Sequence, residues 1–181
     1  RTIYENTKGI SFRSPSLDLG CGDGRIANIL FDEPFTYGVD NNEIGDVEIA
    51  VENNRYSKVL IESAEKMSLP EASLNFVFSN SVIEHIPDCA AVVSEVSRLL
   101  KSGGDLVFTV PSHNFVDYLF VSNKLEALRL SYLSKLYKYY RNKMLNHFHC
   151  YAIDDWWKIL SRYNLEVINF QYYISKEALN L

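Results

Sequence analysis

LDLGCGDGR, Leu17–Arg25, is a short apolar run that breaks into three alternating glycines, Gly20, Gly22 and Gly24, and then into residues that favour a helix. Leu17–Leu19 reads as a first strand. Arg25–Phe31 follows with apolar residues at Ile26, Ile29 and Leu30, a helical spacing. Glycine tolerates positive φ and has no Cβ, so a turn of this kind lets backbone approach a ligand closely. Outward from this point, Ser16 to Pro111 alternates β-like and helical stretches. Thr36–Val39, Lys58–Ile61, Leu74–Phe78 and Asp105–Val110 read as strands two to five, the last after the turn Ser102-Gly103-Gly104. Between strands four and five, Asp88 is placed to cap a helix whose stripe is Ala91, Val92, Val93, Val96, Leu99 and Leu100. Lys101 suits its C-terminal dipole and Gly103 a left-handed turn. The pattern is α/β: a Rossmann-like, doubly wound, mostly parallel sheet with helices on both faces. Asp40–Tyr56 should carry a crossover helix, yet Asn41, Asn42, Gly45, Asn53 and Asn54 form helix poorly, so a short or irregular connection is expected.

After Pro111 the texture changes. Leu119–Met144 is rich in Leu, Tyr and Lys, lacks glycine, and reads as one or two helices. Asp154 is expected to cap a helix over Asp155–Tyr163, and Leu165–Ile174 is β-rich. The divisions expected within one domain are a core over 16–111, a helical lid over 112–152 after strand five, and a C-terminal helix and strand over 153–181.

A ligand in such a fold sits beyond the carboxyl ends of the strands. The dinucleotide fingerprint G-x-G-x-x-G begun at Gly20 would place its third glycine at Arg25; here it falls one residue early, at Gly24. Charge agrees with spacing. Asp18 and Asp23 bracket the turn, where carboxylates repel a pyrophosphate. S-adenosylmethionine (SAM) has no phosphate and offers an ammonium and a sulfonium that acidic groups favour. Asp40, about 20 residues beyond Gly20, stands where a carboxylate accepts both hydroxyls of an adenosine ribose. That spacing suits NAD equally, and an Asp capping a turn with Asn41 is the structural alternative.

Leu17–Arg25 resembles motif I of class I SAM-dependent methyltransferases. Ser63–Pro70 (SAEKMSLP) with Leu74–Ile86 (LNFVFSNSVIEHI) is similar to the third and fourth motifs of their small-molecule "type 11" subgroup, and Leu99–Pro111 (LLKSGGDLVFTVP) to the segment that follows. The resemblance covers about residues 16–111, with a weaker echo in Tyr151–Val167. It implies the class I methyltransferase fold and SAM as cofactor. It implies that Gly20, Gly22 and Gly24, with Cys21 and Asp23 between them, line the methionine portion. Asp18 would reach the ammonium through water, and Asp40 with Asn41 would hold the ribose. Ser63, Ala64 and Glu65 would edge the adenine, and Asn80 and Ser81 would face the methionine end. Ser63 departs from the Asp often found there, so it accepts from the adenine amino group without charge.

Methyl transfer from a sulfonium needs alignment and exclusion of water, and a base only where the acceptor loses a proton. His85, after strand four, is the candidate catalytic group; the alternative is that Glu84 and His85 open or cap the next segment. His113, His147 and His149 are further candidates. A His-x-His such as His147-Phe148-His149 suits a metal on a strand, but no carboxylate or Cys stands nearby at metal spacing, so no metal is expected. Ser112–Cys150 is the expected substrate-selecting element. Its Phe115, Tyr118, Phe120, Tyr132, Tyr137, Tyr139 and Tyr140, with Trp156 and Trp157, either line an acceptor pocket or pack the helices onto the core.

The bulk properties bound the answer. The 181 residues fit one domain, and 47% hydrophobic and 23% charged residues are ordinary for a globular protein. A net charge of −5 disfavours a nucleic-acid partner. Lys135, Lys138, Arg141 and Lys143 form the one basic cluster, which reads as a solvated helix face. Three cysteines, Cys21, Cys89 and Cys150, are odd in number and far apart, as expected of reduced thiols in a cytoplasmic protein. No run approaches the ~20 apolar residues of a membrane span, and nothing near Arg1 resembles a signal peptide, although the chain does not begin with Met. The expected function is methyl transfer from SAM to a small-molecule acceptor: a metabolite, sugar, lipid or quinone-like ring. A non-catalytic SAM- or nucleoside-binding regulatory module is the alternative.

Overall fold

Parallel strands buried along their length, as Ser16–Leu19 is at all four positions, need cover on both faces, and the chain supplies it. The computed structural model describes residues 10, 12–41, 49–51 and 54–172. Within it β1 (Ser16–Leu19), α1 (Arg25–Leu30), β2 (Phe35–Asp40), β3 (Tyr56–Ile61) and β4 (Leu74–Asn80) are followed by a 3₁₀ turn, Ile83–His85. Then come α2 (Cys89–Leu99), β5 (Leu100–Thr109), α3 (Phe120–Ala127), α4 (Ser131–Met144) and α5 (Ile153–Ser161). The five strands are parallel in the order β3-β2-β1-β4-β5. The order reverses between β1 and β4, which creates the switch-point crevice at the strands' carboxyl ends.

Alternation along each strand divides the core in two. Leu17, Leu19 and Val77 pack with Val92, Val93, Val96 and Leu99 of α2 and with Trp156 and Leu160 of α5. On the other face Phe35, Phe76 and Phe78 meet Ala27 and Leu30 of α1 and the adjoining Phe31. Phe12 stacks on Phe35 and Phe76 with centroids 4.6 and 4.7 Å apart. The expected helix after the glycine turn is present, but its buried positions are Ala27 and Leu30, while Ile26 and Ile29 are exposed. The carbonyls at its end receive the buried Arg55 guanidinium, which donates to Ala27, Phe31 and Asp32.

Asp88 caps α2 as expected, its Oδ1 accepting from the Ala91 N–H at 3.0 Å. Other boundaries differ. The turn at 102–104 does not precede β5 but lies inside it. Leu74 pairs with Leu100 and Phe76 with Asp105, so residues 101–104 bulge out opposite a single residue of β4, with Gly103 at φ 75°. Lys101 therefore sits in the bulge, and Arg98 occupies the last turn of α2. Helix α5 starts at Ile153, so Asp154 and Asp155 lie in its first turn, where carboxylates face the positive end of the dipole. Residues 165–172, expected as strand, have no regular structure: Leu165 and Val167 pack on the core but Ile168 is 86% exposed, and a β-rich run without a partner ladder does not form a strand. Residues 173 and 174 lie outside the described residues. In the expected irregular connection after β2, residues 49–51 are helical, and 42–48 and 52–53, with Asn42, Gly45 and Asn53, lie outside them.

Leu119–Met144 forms two helices, α3 and α4. Lys138 of α4 reaches Glu126 of α3 at 3.2 Å and Asp117 of the preceding loop at 2.8 Å. No described helix is long and apolar enough to cross a membrane.

Candidate cofactor site

The glycine turn is fastened to the end of β2. The N–H groups of Gly20 and Cys21 donate to the Val39 carbonyl at 2.7 and 3.1 Å, and the Gly22 N–H donates to Asp40 Oδ2 at 2.9 Å. Gly20 has φ +76°, and a Cβ built on it would lie 2.1 Å from a methyl of Val82. Both the backbone angle and the closeness of the segment after β4 therefore require glycine there.

Asp18 points to the aromatic face of the sheet, not toward the strand ends. It is buried, and the Tyr56 hydroxyl donates to its Oδ2 at 2.6 Å. Burial pushes its carboxyl up to about 7; the Tyr56 hydrogen bond and Arg55 oppose this, and Asp40 adds to it. Burial likewise pushes up the Tyr56 hydroxyl and the Cys21 thiol. Asp23 accepts from the Arg25 N–H at 2.9 Å, so its carboxylate starts α1.

A cavity of about 310 Å³ opens at the carboxyl ends of the strands. Leu19, Gly20, Val39, Asp40 and Asn41 border it from β1 and β2. Glu62, Ser63, Ala64 and Glu65 come from beyond β3, and Ser81, Val82, His85, Ile86 and Pro87 from beyond β4. The structure thus brings Gly20, Asp40, Asn41, Ser63, Ala64, Glu65, Ser81 and His85 to one place. Asp18, Cys21, Gly22, Asp23, Gly24 and Asn80 do not border this cavity. Asn80 instead accepts from the Thr109 hydroxyl at 2.7 Å and joins the ends of β4 and β5. The Ser63 hydroxyl donates to Glu65 Oε2 at 3.1 Å. Sequence reasoning missed Glu62, Val82, Ile86 and Pro87; Glu62, next to Ser63 just past a strand end, was the one with a readable signal.

Three carboxylates, Asp40, Glu62 and Glu65, border the cavity. A wall of this sign favours cationic groups and ribose hydroxyls over phosphates. The charges and hydroxyls of SAM fit this donor set. Ser81, the first residue after β4, holds φ +54°, a left-handed backbone that costs a residue with a Cβ roughly 1–2 kcal/mol. Such strain at the mouth of a cavity is typical of ligand sites.

Beyond Ser81 the chain meets the segment after α4. The Phe148 N–H donates to the Glu84 carbonyl at 2.8 Å, and His85 Nδ1 lies 3.2 Å from the Asn146 carbonyl. His149 is buried, with Nε2 at 2.9 and 3.0 Å from the carbonyls of Ile86 and Pro87 and Nδ1 at 2.9 Å from the Tyr151 hydroxyl. It is a structural hydrogen-bonder. His113 packs against Tyr172 and does not border the cavity. His147 lies between the rings of His85 and Phe115. The expectation that no carboxylate stands near the His-x-His pair does not hold, because Glu84, 1% exposed, is folded against it. Of the two tryptophans Trp156 is buried and Trp157 exposed, and neither borders the cavity.

Comparison with known proteins settles the family. The family described as "Methyltransferase domain" matches residues 17–108, half of the chain. The chain belongs to that family. Among its relatives, a ubiquinone biosynthesis O-methyltransferase of Vibrio atlanticus is 29% identical over 134 residues, 70% of this chain and 55% of that protein. A probable S-adenosylmethionine-dependent methyltransferase of Mycolicibacterium smegmatis is 34% identical over 99 residues, 53% of this chain and 37% of that protein. The chain thus spans about half the length, or less, of these relatives. A Thermotoga maritima structure, described as a SAM-dependent methyltransferase and possible histamine N-methyltransferase, superposes with a TM-score of 0.65 at 20% identity. It covers 92% of this chain and 70% of its own, and establishes the shared fold.

Proposed function

We propose that this chain binds SAM in the cavity beyond β1–β4 and directs its methyl group to a small-molecule acceptor. The observation that carries the reading is the acidic cavity walled by the positive-φ Gly20 turn and by Asp40 at the end of β2. SAM supplies a methyl group already activated by its sulfonium, which departs as a neutral thioether. Asp40 takes the ribose hydroxyls, with Asn41 beside it. Ser63, Ala64 and Glu65 edge the adenine, and Gly20 and Ser81 flank the methionine end. Asp18, held by Tyr56 behind the turn, acts as a positioning residue for the loop, as do Cys21, Gly22, Asp23, Gly24 and Asn80 through the backbone they fix. Alignment of donor and acceptor is worth roughly 7–11 kcal/mol, so this chain needs little further machinery.

His85 borders the cavity and is assigned to the acceptor end, where it activates the attacking atom. Residues 16–111 hold the donor, 112–152 form a lid that selects the acceptor, and 153–181 follow as a segment that packs α5 on the core. The ubiquinone biosynthesis relative supports a small acceptor over a macromolecule, and the net charge of −5 disfavours nucleic acid. Free thiols at Cys21, Cys89 and Cys150 support a cytoplasmic setting. The test is transfer of tritiated methyl from SAM across a panel of phenols, amines and sugars. Turnover of at least one is expected, falling by roughly 10²–10⁴ in His85→Asn. SAM binding without transfer to any member would favour a regulatory SAM-binding module instead.

A further inference from the structure

At the edge of the donor cavity, one group of side chains has an unmet bonding requirement. Glu84, His85 and His147 each offer one ligand atom, and these atoms all lie within 4.8 Å of one another. Glu84 and His85 come from the turn after β4, and His147 from the segment after α4. Glu84 Oε1 stands 3.9 Å from His85 Nε2. Glu84 is 1% exposed, yet its Oε2 is buried with no hydrogen-bond partner, and the buried Nδ1 of His147 is without one as well. Buried polar atoms are rarely left so, and an ion is among the groups that explain them.

The surroundings prepare the ligands. A carbonyl can only accept, so His85 Nδ1, which faces the Asn146 carbonyl at 3.2 Å, carries the proton and leaves the lone pair on Nε2, toward Glu84. The Phe148–Glu84 backbone hydrogen bond of 2.8 Å fixes the two segments against each other. His149 is spent on the Ile86 and Pro87 carbonyls and on Tyr151, so it is not a competing ligand.

We propose that Glu84, His85 and His147 form a site for one divalent first-row transition-metal ion, with zinc as its representative. Two imidazoles and a carboxylate suit zinc or ferrous iron, whereas magnesium and calcium take all-oxygen sets. A tetrahedral zinc ion with bonds of about 2.0–2.2 Å spaces its ligands roughly 3.3–3.6 Å apart, so side-chain rotations that draw the three slightly together complete the set. Three protein ligands leave a coordination position open, and His85 also borders the cavity. The ion would thus sit at the acceptor end and cross-link the segment after α4 to the sheet. This goes beyond the methyl-transfer reading and changes how His85 serves it: His85 holds a Lewis acid and does not itself take the proton.

The test is titration of chelator-stripped protein with Zn²⁺ alone, followed by calorimetry, and with Co²⁺, followed by absorption. One equivalent of Zn²⁺ should bind saturably and raise the unfolding temperature. Glu84→Gln and His147→Asn should each weaken binding roughly tenfold or more, and His113→Ala should not. The Co²⁺ complex should show ligand-field bands without thiolate charge transfer. Absence of saturable binding to the wild-type protein overturns the proposal. So does binding that survives both Glu84→Gln and His147→Asn, or a thiolate band that moves the ion to Cys150. The wild-type titrations decide even if a variant fails to fold. Zn²⁺ binding without S-adenosylhomocysteine binding would sink the methyl-transfer reading and leave the metal site standing; the reverse result would do the opposite.

Discussion

The sheet and the helical segment that follows it use the same apolar residues in opposite ways. In the sheet Leu17, Leu19, Leu74 and Val77 are completely buried, with a helix packed on either face. In α3 and α4 the buried residues are Ser122 and Ser134, while Tyr132, Tyr139 and Met144 are 78%, 62% and 73% exposed. Burial at about 25 cal/mol per Å² holds the first region together. The second relies on point contacts: the Ser122 hydroxyl donating to the Val116 carbonyl at 2.6 Å, the ion pairs of Lys138, and the clamp between residues 84–87 and 146–149. The cavity, bordered by residues between Leu19 and Pro87, therefore belongs to the rigid region, and the lid proposed over 112–152 to the adjustable one.

The largest effect should come from truncating the same residue type in each region. Leu99→Ala, at a fully buried position, should lower stability by about 2–5 kcal/mol, whereas Leu136→Ala, on the exposed side of α4, should stay within about 0.5 kcal/mol. Urea unfolding of both variants checks this, and equal losses would erase the contrast between the regions. Next, Asp40→Ala removes a charged acceptor from the cavity wall and frees the Gly22 N–H. Affinity for S-adenosylhomocysteine should fall by about 1–3 kcal/mol, and unchanged affinity would remove Asp40 from the site.

A comparable effect, spread over pH, concerns Asp18. Asp18 titrates at about 7 in the folded protein against 3.8 for a free carboxyl, so the folded state binds the extra proton between these values. Stability from this group is complete below about 3.8 and is lost as pH rises through about 7, with a slope of at most about 1.4 kcal/mol per pH unit. In Asp18→Asn that slope should flatten, and denaturant midpoints measured from pH 5 to 8 would show it. A profile identical to wild type would mean that Asp18 is not buried as described.

What was legible in the sequence was local. The glycine turn, the cap at Asp88, the α/β alternation and Asp40 at a strand end all depend on neighbours a few residues apart. Most of the cavity lining from Ser63, Ala64 and Ser81 was also readable, because these residues follow directly on strands. What was not legible depends on contacts far apart in the chain. Nothing near Asp18 announces that Tyr56 will bind its carboxyl, so its placement behind the loop could not be foreseen. The same holds for Val82 over Gly20 and for Glu84 beside His147. Composition misled at 165–172, where β-branched and aromatic residues found no strand to pair with. It also misled at 102–104, where a turn signal became a bulge because β4 pairs on both sides of it.

The acidic cavity beyond β1–β4 is proposed to take SAM and not a dinucleotide. The most direct measurement is calorimetric titration of the protein with S-adenosylhomocysteine and, separately, with NAD. Saturable binding of S-adenosylhomocysteine at one equivalent, with no heat from NAD over the same range, is the predicted result. Binding of NAD without binding of S-adenosylhomocysteine would contradict it.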